Sequence, residues 1–334
     1  MVGCGGMSAA WLGPISEMKD VEIVGLVDVL KKNASARAKQ FDLGHAIVGT
    51  DLKTVLRATA PEVVFDCTIP EAHTAVTTTA LRHGCHVLGE KPMAVSMAEA
   101  RRSIRAAEKA NRIYAVIQNR RYLPQMRRIQ RALASGLIGD VTTINCDFFL
   151  GPHFGGFRDH MPHVLLLDMA IHTFDQSRML SGTDPVSVYC REWNPKGSWY
   201  DHDASAVAIF DMTNKIVFTY RGSWCAEGSD TAWDATWRII GSRGTLTWNG
   251  ADEIRIGRVR KTGGLIYEPV DISVPPMRKR DRVGGHAGLI REFLDSVQKG
   301  GTPETICTDN IKSLAMVFAA IKSAQRDRRM DVIW

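Results

Sequence analysis

A glycine-rich turn, Gly3, Cys4, Gly5, Gly6, Met7 and Ser8, followed by the strand-like run Val21–Val27 that ends on Asp28, constrains the fold more than any other feature of the chain. The first Gly of such a turn permits a tight reversal, the second lets the backbone approach a pyrophosphate, and the phosphate then rests on the N-terminus of the following helix. Ser8 fills the third slot of the pattern, small enough for close packing and suited to capping that helix. Asp28 follows the glycines at about the twenty-residue spacing at which a carboxylate accepts hydrogen bonds from adenosine ribose hydroxyls. A carboxylate there repels a 2′-phosphate and favours NAD over NADP, while Lys31 and Lys32 soften the preference. Without a nucleotide, the same residues read as an ordinary tight turn and a helix-starting Asp.

As far as Arg121 the chain alternates short β-branched runs with helical patterns. Strands are expected over Val21–Val27, Val63–Phe65, His86–Leu88 and Tyr114–Ile117, and helices over Asn33–Phe41, Ala72–His83 and Ser96–Asn111. That alternation predicts a doubly wound parallel sheet of Rossmann type over residues 1–121. Residues 122–334 read as an α+β domain: a helix over Pro124–Ser135, a strand over Val141–Phe149, an apolar helix over Val164–Leu180 and two closing helices, Ala287–Lys299 and Asn310–Gln325. Between these lie strands over Val186–Glu192, Ser205–Asp211, Lys215–Tyr220, Thr236–Ile240, Thr245–Trp248 and Glu253–Ile256. Hairpin turns at Thr213 and Asn214 and at Ser242, Arg243 and Gly244 make that sheet mostly antiparallel.

With 334 residues the chain exceeds one ordinary core, and its 45% hydrophobic and 23% charged composition is that of a folded globular protein. Seven scattered Cys without a Cys-x-x-Cys pair argue against a disulfide framework or a zinc site. No leader pattern or membrane-length apolar run is present, so the expected location is the cytoplasm. The net charge of +6 raises nucleic acid as a partner. Its basic runs, however, fall on one predicted helix (Arg101, Arg102, Arg105, Lys109, Arg112) and one loop (Met277–Arg282), where they read as solvated faces. Neither nucleic acid nor membrane is an expected partner.

Two further segments carry chemistry. Glu90, Lys91 and Pro92 follow the strand His86–Gly89, and a residue before Pro is held extended, so Lys91 is presented at a strand's carboxyl end, where ligands bind in open parallel sheets. Asp168 and His172 are four apart in an apolar helix, on one face if it is α-helical. Such groups are costly there unless paired or functional, so they are either a self-satisfied buried pair or reactive. Arg121 and Tyr122, with Arg158, His160 and His163 in the loop leading to that helix, are candidate substrate donors. The spacing of His160 and His163 invites a metal, but no Cys or carboxylate cluster joins them, so none is expected. Of eight Trp, Trp193, Trp199, Trp224, Trp233, Trp237 and Trp248 all belong to the second domain; most are expected in the core or at subunit contacts, and the loop from Trp193 to Trp199 and Tyr200 is the best placed to touch a sugar or aglycone.

Taken together, Gly3, Gly5, Gly6 and Met7, then Thr68, Ile69 and Pro70 with His73, then Glu90-Lys91-Pro92, Gln118 with Asn119, and Asp168 with His172 give the chain a resemblance to the Gfo/Idh/MocA oxidoreductases over essentially its whole length. The resemblance implies a second domain with a large open sheet, one face of which is covered by forming a homodimer or homotetramer. It implies cofactor contacts at Gly3, Gly5, Gly6, Met7, Asp28, Thr68, Pro70, His73, Glu90, Lys91, Gln118 and Asn119, and a Lys91–Pro92 peptide that is often cis. It also implies that Lys91, Asp168 and His172 surround a reacting carbon. His172 then suits the role of base for the hydroxyl proton, because its ordinary pKa is near neutrality; Asp168 orients it and Lys91 stabilises alkoxide character on the oxygen. Some members use the Lys as the base. The expected activity is NAD(P)-dependent hydride transfer at a secondary alcohol of a sugar, cyclitol or glycoside. Two rivals are transient oxidation by tightly held NAD, for elimination or aldose–aldose exchange, and a non-catalytic NAD-sensing regulator, against which the retention of Lys91, Asp168 and His172 argues.

The residues before Gly3 are too few for a full first strand. That predicts a start lying upstream, and low stability with weak cofactor affinity for the chain as it stands. Equal melting temperature and NAD affinity in a chain extended upstream would dismiss the idea.

Overall fold

The computed structural model describes residues 1–260 and 265–334, and these divide into two units: Met1–Tyr122 with Arg282–Ile311, and Leu123–Asp281 with Lys312–Trp334. In chain order the first unit holds α1 (Ser8–Ser16), β1 (Gly25–Val27), α2 (Lys31–Gln40), β2 (Ile47–Gly49), α3 (Leu52–Thr59), β3 (Val63–Asp66), α4 (Pro70–Arg82), β4 (His86–Gly89), α5 (Met97–Ala110) and β5 (Tyr114–Val116). β1 pairs with β2, and β3, β4 and β5 pair in that order, all parallel. Val2 joins the two groups by a parallel bridge to Val27 on one side and to Asp66 on the other. The expected Rossmann arrangement is therefore present, with its first strand reduced to a bridge.

Several expectations shift in detail. The strand expected from Val21 begins only at Gly25, and β2 and α3 were not anticipated, because Ile47–Gly49 is three residues long with no buried position. The division at residue 121 put residues 282–311 in the second domain, whereas they belong to the first unit. The reason lies in two apolar stripes. Trp11, Leu12 and Ile15 on α1 cluster with Leu289, Ile290, Phe293 and Leu294 of the helix His286–Lys299, each set at helical spacing. Local caps set two helix starts: Ser96 accepts from the Glu99 N–H (3.2 Å) to start α5, and Pro70 opens α4, two residues before the start expected at Ala72.

The second unit holds α6 (Pro124–Ala134), β6 (Val141–Phe149) and α7 (Ile171–Ser181), then β7 (Pro185–Trp193), β8 (Ser205–Met212), β9 (Val217–Ser223), β10 (Thr236–Gly241), β11 (Gly244–Trp248), β12 (Ile254–Val259) and β13 (Pro269–Asp271). The helix His286–Lys299 is α8, α9 (Cys307–Arg326) runs from the first unit into the second, and β14 (Met330–Asp331) is the last element in chain order. One nine-stranded sheet has the order β13-β12-β11-β10-β6-β9-β8-β7-β14. It is antiparallel except where β6 runs parallel to β9. Alternate residues such as Ile144, Cys146 and Phe148 are buried on the face that packs α7, where Phe174 sets its ring edge-on to Phe210 (4.9 Å) and Tyr220 (5.3 Å). The basic residues Arg102, Arg105 and Lys109 of α5 are exposed as a solvated face requires. Among the described residues no helix is long and apolar enough to cross a membrane.

The helix expected over Val164–Leu180 is not uniform: Leu165–Ala170 is π-helical and only then does α7 begin. Its entry is anchored by His163, whose backbone is left-handed (φ +55°). The His163 ring bonds Glu192 through Nδ1 (2.7 Å) and Gln325 through Nε2 (3.3 Å). The hydrogen bond that His163 donates to Glu192 holds the imidazole above its ordinary pKa, and burial pushes the Glu192 carboxyl upward, with Asp203 adding to both in the same direction. A His whose folded pKa is raised contributes stability that is complete below about 6.5 and lost as pH rises through the folded value. Ionised Glu192 beside a neutral His163 is a buried unpaired charge, so its contribution falls in the same sense. The melting-temperature advantage of the native chain over Glu192→Gln should therefore be largest near about pH 6 and shrink or reverse toward about pH 9. A constant advantage across that range would remove the pair from the stability account.

Candidate active site

In the first unit the glycine-rich turn is fixed by close approach. Gly3 has φ +81°, and a Cβ there would lie 2.4 Å from the Cys67 carbonyl oxygen, so no other residue fits. Gly5 and Gly6 differ: a Cβ on either meets nothing within 4 Å. Their small size leaves the backbone open to approach from outside. Ser8 does not cap α1, whose N-cap Met7 has no side-chain cap; its hydroxyl instead donates to the Gly5 carbonyl (2.6 Å). Arg37 of α2, not anticipated from the sequence, donates to the same carbonyl (2.7 Å) and to Ser8 Oγ (2.9 Å). A guanidinium, a helix N-terminus and two glycines that protein packing does not demand fit a dinucleotide's pyrophosphate.

Asp28 accepts from the Cys4 N–H through Oδ2 (2.8 Å) and from the Leu30 N–H (2.8 Å) and Asn33 Nδ2 (3.2 Å) through Oδ1. It thus ties the glycine turn to the end of β1, and a carboxylate with about four acceptor positions keeps capacity for a ribose hydroxyl. At the end of β3, buried Asp66 accepts from Thr68 Oγ1 (2.6 Å), from the Thr68 N–H (3.1 Å) and from His73 Nδ1 (3.1 Å). Sequence reading missed Asp66. His73 is itself buried, so its influence on a ligand runs through Asp66 and Thr68. Ile69 is exposed beside Thr68 and Pro70.

After β4, buried Glu90 accepts from Trp11 Nε1 (2.8 Å) and from the Lys91 N–H (3.1 Å), and the Lys91–Pro92 peptide is cis. His286 Nε2 is 4.0 Å from Glu90, and its Nδ1 faces the Asn119 amide (3.2 Å). Burial lowers the His286 pKa, which favours the neutral ring, accepting from Asn119 and presenting Nε2–H to Glu90. Trp11 and His286 are supports the sequence did not reveal, because they meet Glu90 only after folding. Gln118 is buried at the end of β5. Arg121 and Tyr122, expected to contact substrate, both have partners within the first unit. Arg121 is buried and bonded to Asp309 (3.2 Å) and the Glu304 carbonyl (3.3 Å), and the buried Tyr122 donates to Glu292.

In the second unit the π-helical turn carries Asp168, and α7 carries His172 on its first turn. The change of winding replaces the even α-helical stacking expected of the two residues, and π turns of this kind recur at functional sites. Arg158 Nε donates to Asp168 Oδ2 (2.8 Å), so this Arg orients the carboxylate. His160 pairs with Asp201 at the surface (2.6 Å) and His163 with Glu192, so the two imidazoles have separate partners. Farther along α7, Asp175 accepts from Ser313 (2.7 Å) and Arg178 donates to Ser313 (3.0 Å) and Asp184 (3.1 Å). That network leaves the helix bearing Asp168 and His172 little freedom. Of the Trp residues, Trp224, Trp237 and Trp248 are buried, while Trp193 and Trp233 are exposed.

Comparison with known proteins gives the arrangement a context. Residues 1–118 match the family described as "Oxidoreductase family, NAD-binding Rossmann fold", and residues 126–247 match the Gfo/Idh/MocA C-terminal domain. The chain is 28% identical to protein y4oX of Sinorhizobium fredii over 99% of this chain and 94% of that one. It is 22% identical to inositol 2-dehydrogenase of Rhizobium meliloti over 99% and 98%. Its fold superposes on an oxidoreductase from Agrobacterium radiobacter, crystallised with NAD+, L-tartaric acid and magnesium, with a TM-score of 0.86 at 21% identity, covering 99% of this chain and 97% of that one. The chain belongs to the Gfo/Idh/MocA family of NAD-binding oxidoreductases.

Proposed function

We propose that the protein transfers a hydride between a secondary alcohol of a sugar, cyclitol or glycoside and NAD. The observation that carries this reading is Lys91, held between buried Glu90 and a cis Pro92 at the carboxyl end of β4, in a chain that also retains Asp168 and His172 on a braced helix. Bound nicotinamide supplies the hydride acceptor. His172 takes the hydroxyl proton, Asp168 steadies the imidazole, and Lys91 donates to the oxygen as it gains negative charge. Asp28 favours NAD by repelling a 2′-phosphate, against the opposing pull of exposed Lys31 and Lys32. Inositol 2-dehydrogenase among the relatives supports a polyhydroxylated substrate.

A panel of sugars, cyclitols and glycosides, offered with NAD and separately with NADP, tests the reading by reduced-cofactor absorbance. NAD-linked oxidation of at least one is expected, and His172→Ala should lower its kcat by about 10²–10⁴-fold. Near-full turnover in His172→Ala would return the base role to Lys91. No reduction with any alcohol, together with NAD-dependent binding of a protein partner, would make the chain a sensor.

The open face of the nine-stranded sheet supports a second element of the proposal, self-association. Tyr189 and Ile209 are register partners and are both exposed there, and the row continues through Thr219 and Asn145. A second copy covers this face. Sedimentation velocity should show a dimer or tetramer that Ile209→Asp dissociates; a monomeric native chain would end the idea.

A further inference from the structure

The loop that leads to Asp168 carries an aromatic platform that hydride transfer does not require. Phe154, Phe157 and Trp233 have relative exposures of 48%, 66% and 49%, high for large apolar rings grouped together. They are not loose. Phe154 and Trp233 each set an edge against buried Trp224, both at 5.8 Å, and lie 6.1 Å from one another. Arg158 then places its guanidinium 4.9 Å from the Phe154 ring and 4.8 Å from the Phe157 ring. The same guanidinium donates to Asp168. A rigid apolar surface thus begins one side chain away from a candidate catalytic carboxylate.

That spacing decides between two uses. A ring stacked over the reacting sugar would have to adjoin Asp168 itself, whereas here Arg158 stands between the carboxylate and the phenyl faces. The surface therefore suits a second part of the substrate, joined to the part that reacts. Its chemistry, three aromatic faces with one guanidinium already neutralised by Asp168, favours a flat apolar group over a hydroxylated or charged one. Because Trp224 and Arg158 already hold the rings, little side-chain freedom is lost when such a group docks.

We infer that Phe154, Phe157, Arg158 and Trp233 form an aglycone subsite, and that the substrate class is glycosides of flat apolar alcohols rather than free sugars or cyclitols. This rests on the dehydrogenase reading for what happens to the sugar, but binding at the subsite is measurable without turnover. Calorimetric titration of p-nitrophenyl β-D-glucoside and of methyl β-D-glucoside, each with and without NAD, gives the affinity ratio. The native chain should bind the aryl glycoside roughly tenfold or more tightly, the size of one well-placed stacked ring with its buried area. Phe157→Ala, at an exposed position where folding is not at stake, should bring the ratio close to one, and Phe157→Trp should keep it. A ratio near one in the native chain, or one that Phe157→Ala leaves intact, would overturn the subsite. A high ratio that collapses in Phe157→Ala, with no reduction of NAD by any member of the panel above, would establish the subsite and instead remove the dehydrogenase reading.

Discussion

Three residues hold the first unit's sheet together. Val2 donates to the Phe65 carbonyl (2.8 Å) and accepts from the Cys67 N–H (2.7 Å) on one side, while on the other the Gly3 N–H donates to Val27 (2.8 Å) and the Val27 N–H to Met1 (3.0 Å). Main-chain donors and acceptors in a core must be paired, so these bonds fix β1 and β3 relative to the turn that follows. The positions of Asp28, at the end of β1, and Thr68, just beyond β3, follow from the same ladder. Gly3 then has to pass beneath the Cys67–Thr68 backbone, where a Cβ would collide. The glycine turn is where it is because of what lies on both sides of it, and its openness at Gly5 and Gly6 is what remains.

Around that ladder the unit organises buried carboxylates, each tied by donors. Asp66 has Thr68 and His73; Glu90 has Trp11 and the Lys91 backbone. A buried carboxylate without such donors costs several kcal/mol, so each imposes a geometry on the segment that satisfies it. Glu90 is the clearest case. Its bonds reach to α1 and to the residue before the cis Pro92, so the helix that follows the glycine turn and the backbone of Lys91 are positioned by one side chain.

Much of this was legible in the sequence wherever the signal was local. The glycine spacing, the pre-proline Lys91 and the runs read as strands and helices each act within a few residues, and the Rossmann unit and the mostly antiparallel sheet they imply are present. What was not legible depends on residues far apart in the chain. Arg37 reaches Gly5 across 32 positions, and His286 reaches Asn119 across 167. The partners of Arg121 and Tyr122 were hidden for the same reason. Their side chains are taken up by Asp309, Glu304 and Glu292, partners brought in by the 282–311 segment, whose own apolar stripe matches α1 better than its place in the sequence suggests. The π-helical winding at Leu165–Ala170 was invisible because an apolar run gives the same pattern for one turn of either helix.

The same distinction explains why a sequence of this kind shows its reaction type more readily than its substrate. Lys91 and the Asp168–His172 spacing are short-range features, and the proposed chemistry needs those side-chain types whatever the alcohol. The aromatic residues proposed to select the alcohol lie in loops nearly eighty positions apart, and Phe154 and Trp233 come together because both pack on Trp224. No spacing rule links 154 to 233. An aromatic in a loop is, on sequence alone, as well explained by the core as by a ligand, and three of the second unit's Trp residues are indeed core. Only exposure on a packed base, one side chain from the Asp168 carboxylate, separates the two, and that is a property of the folded arrangement.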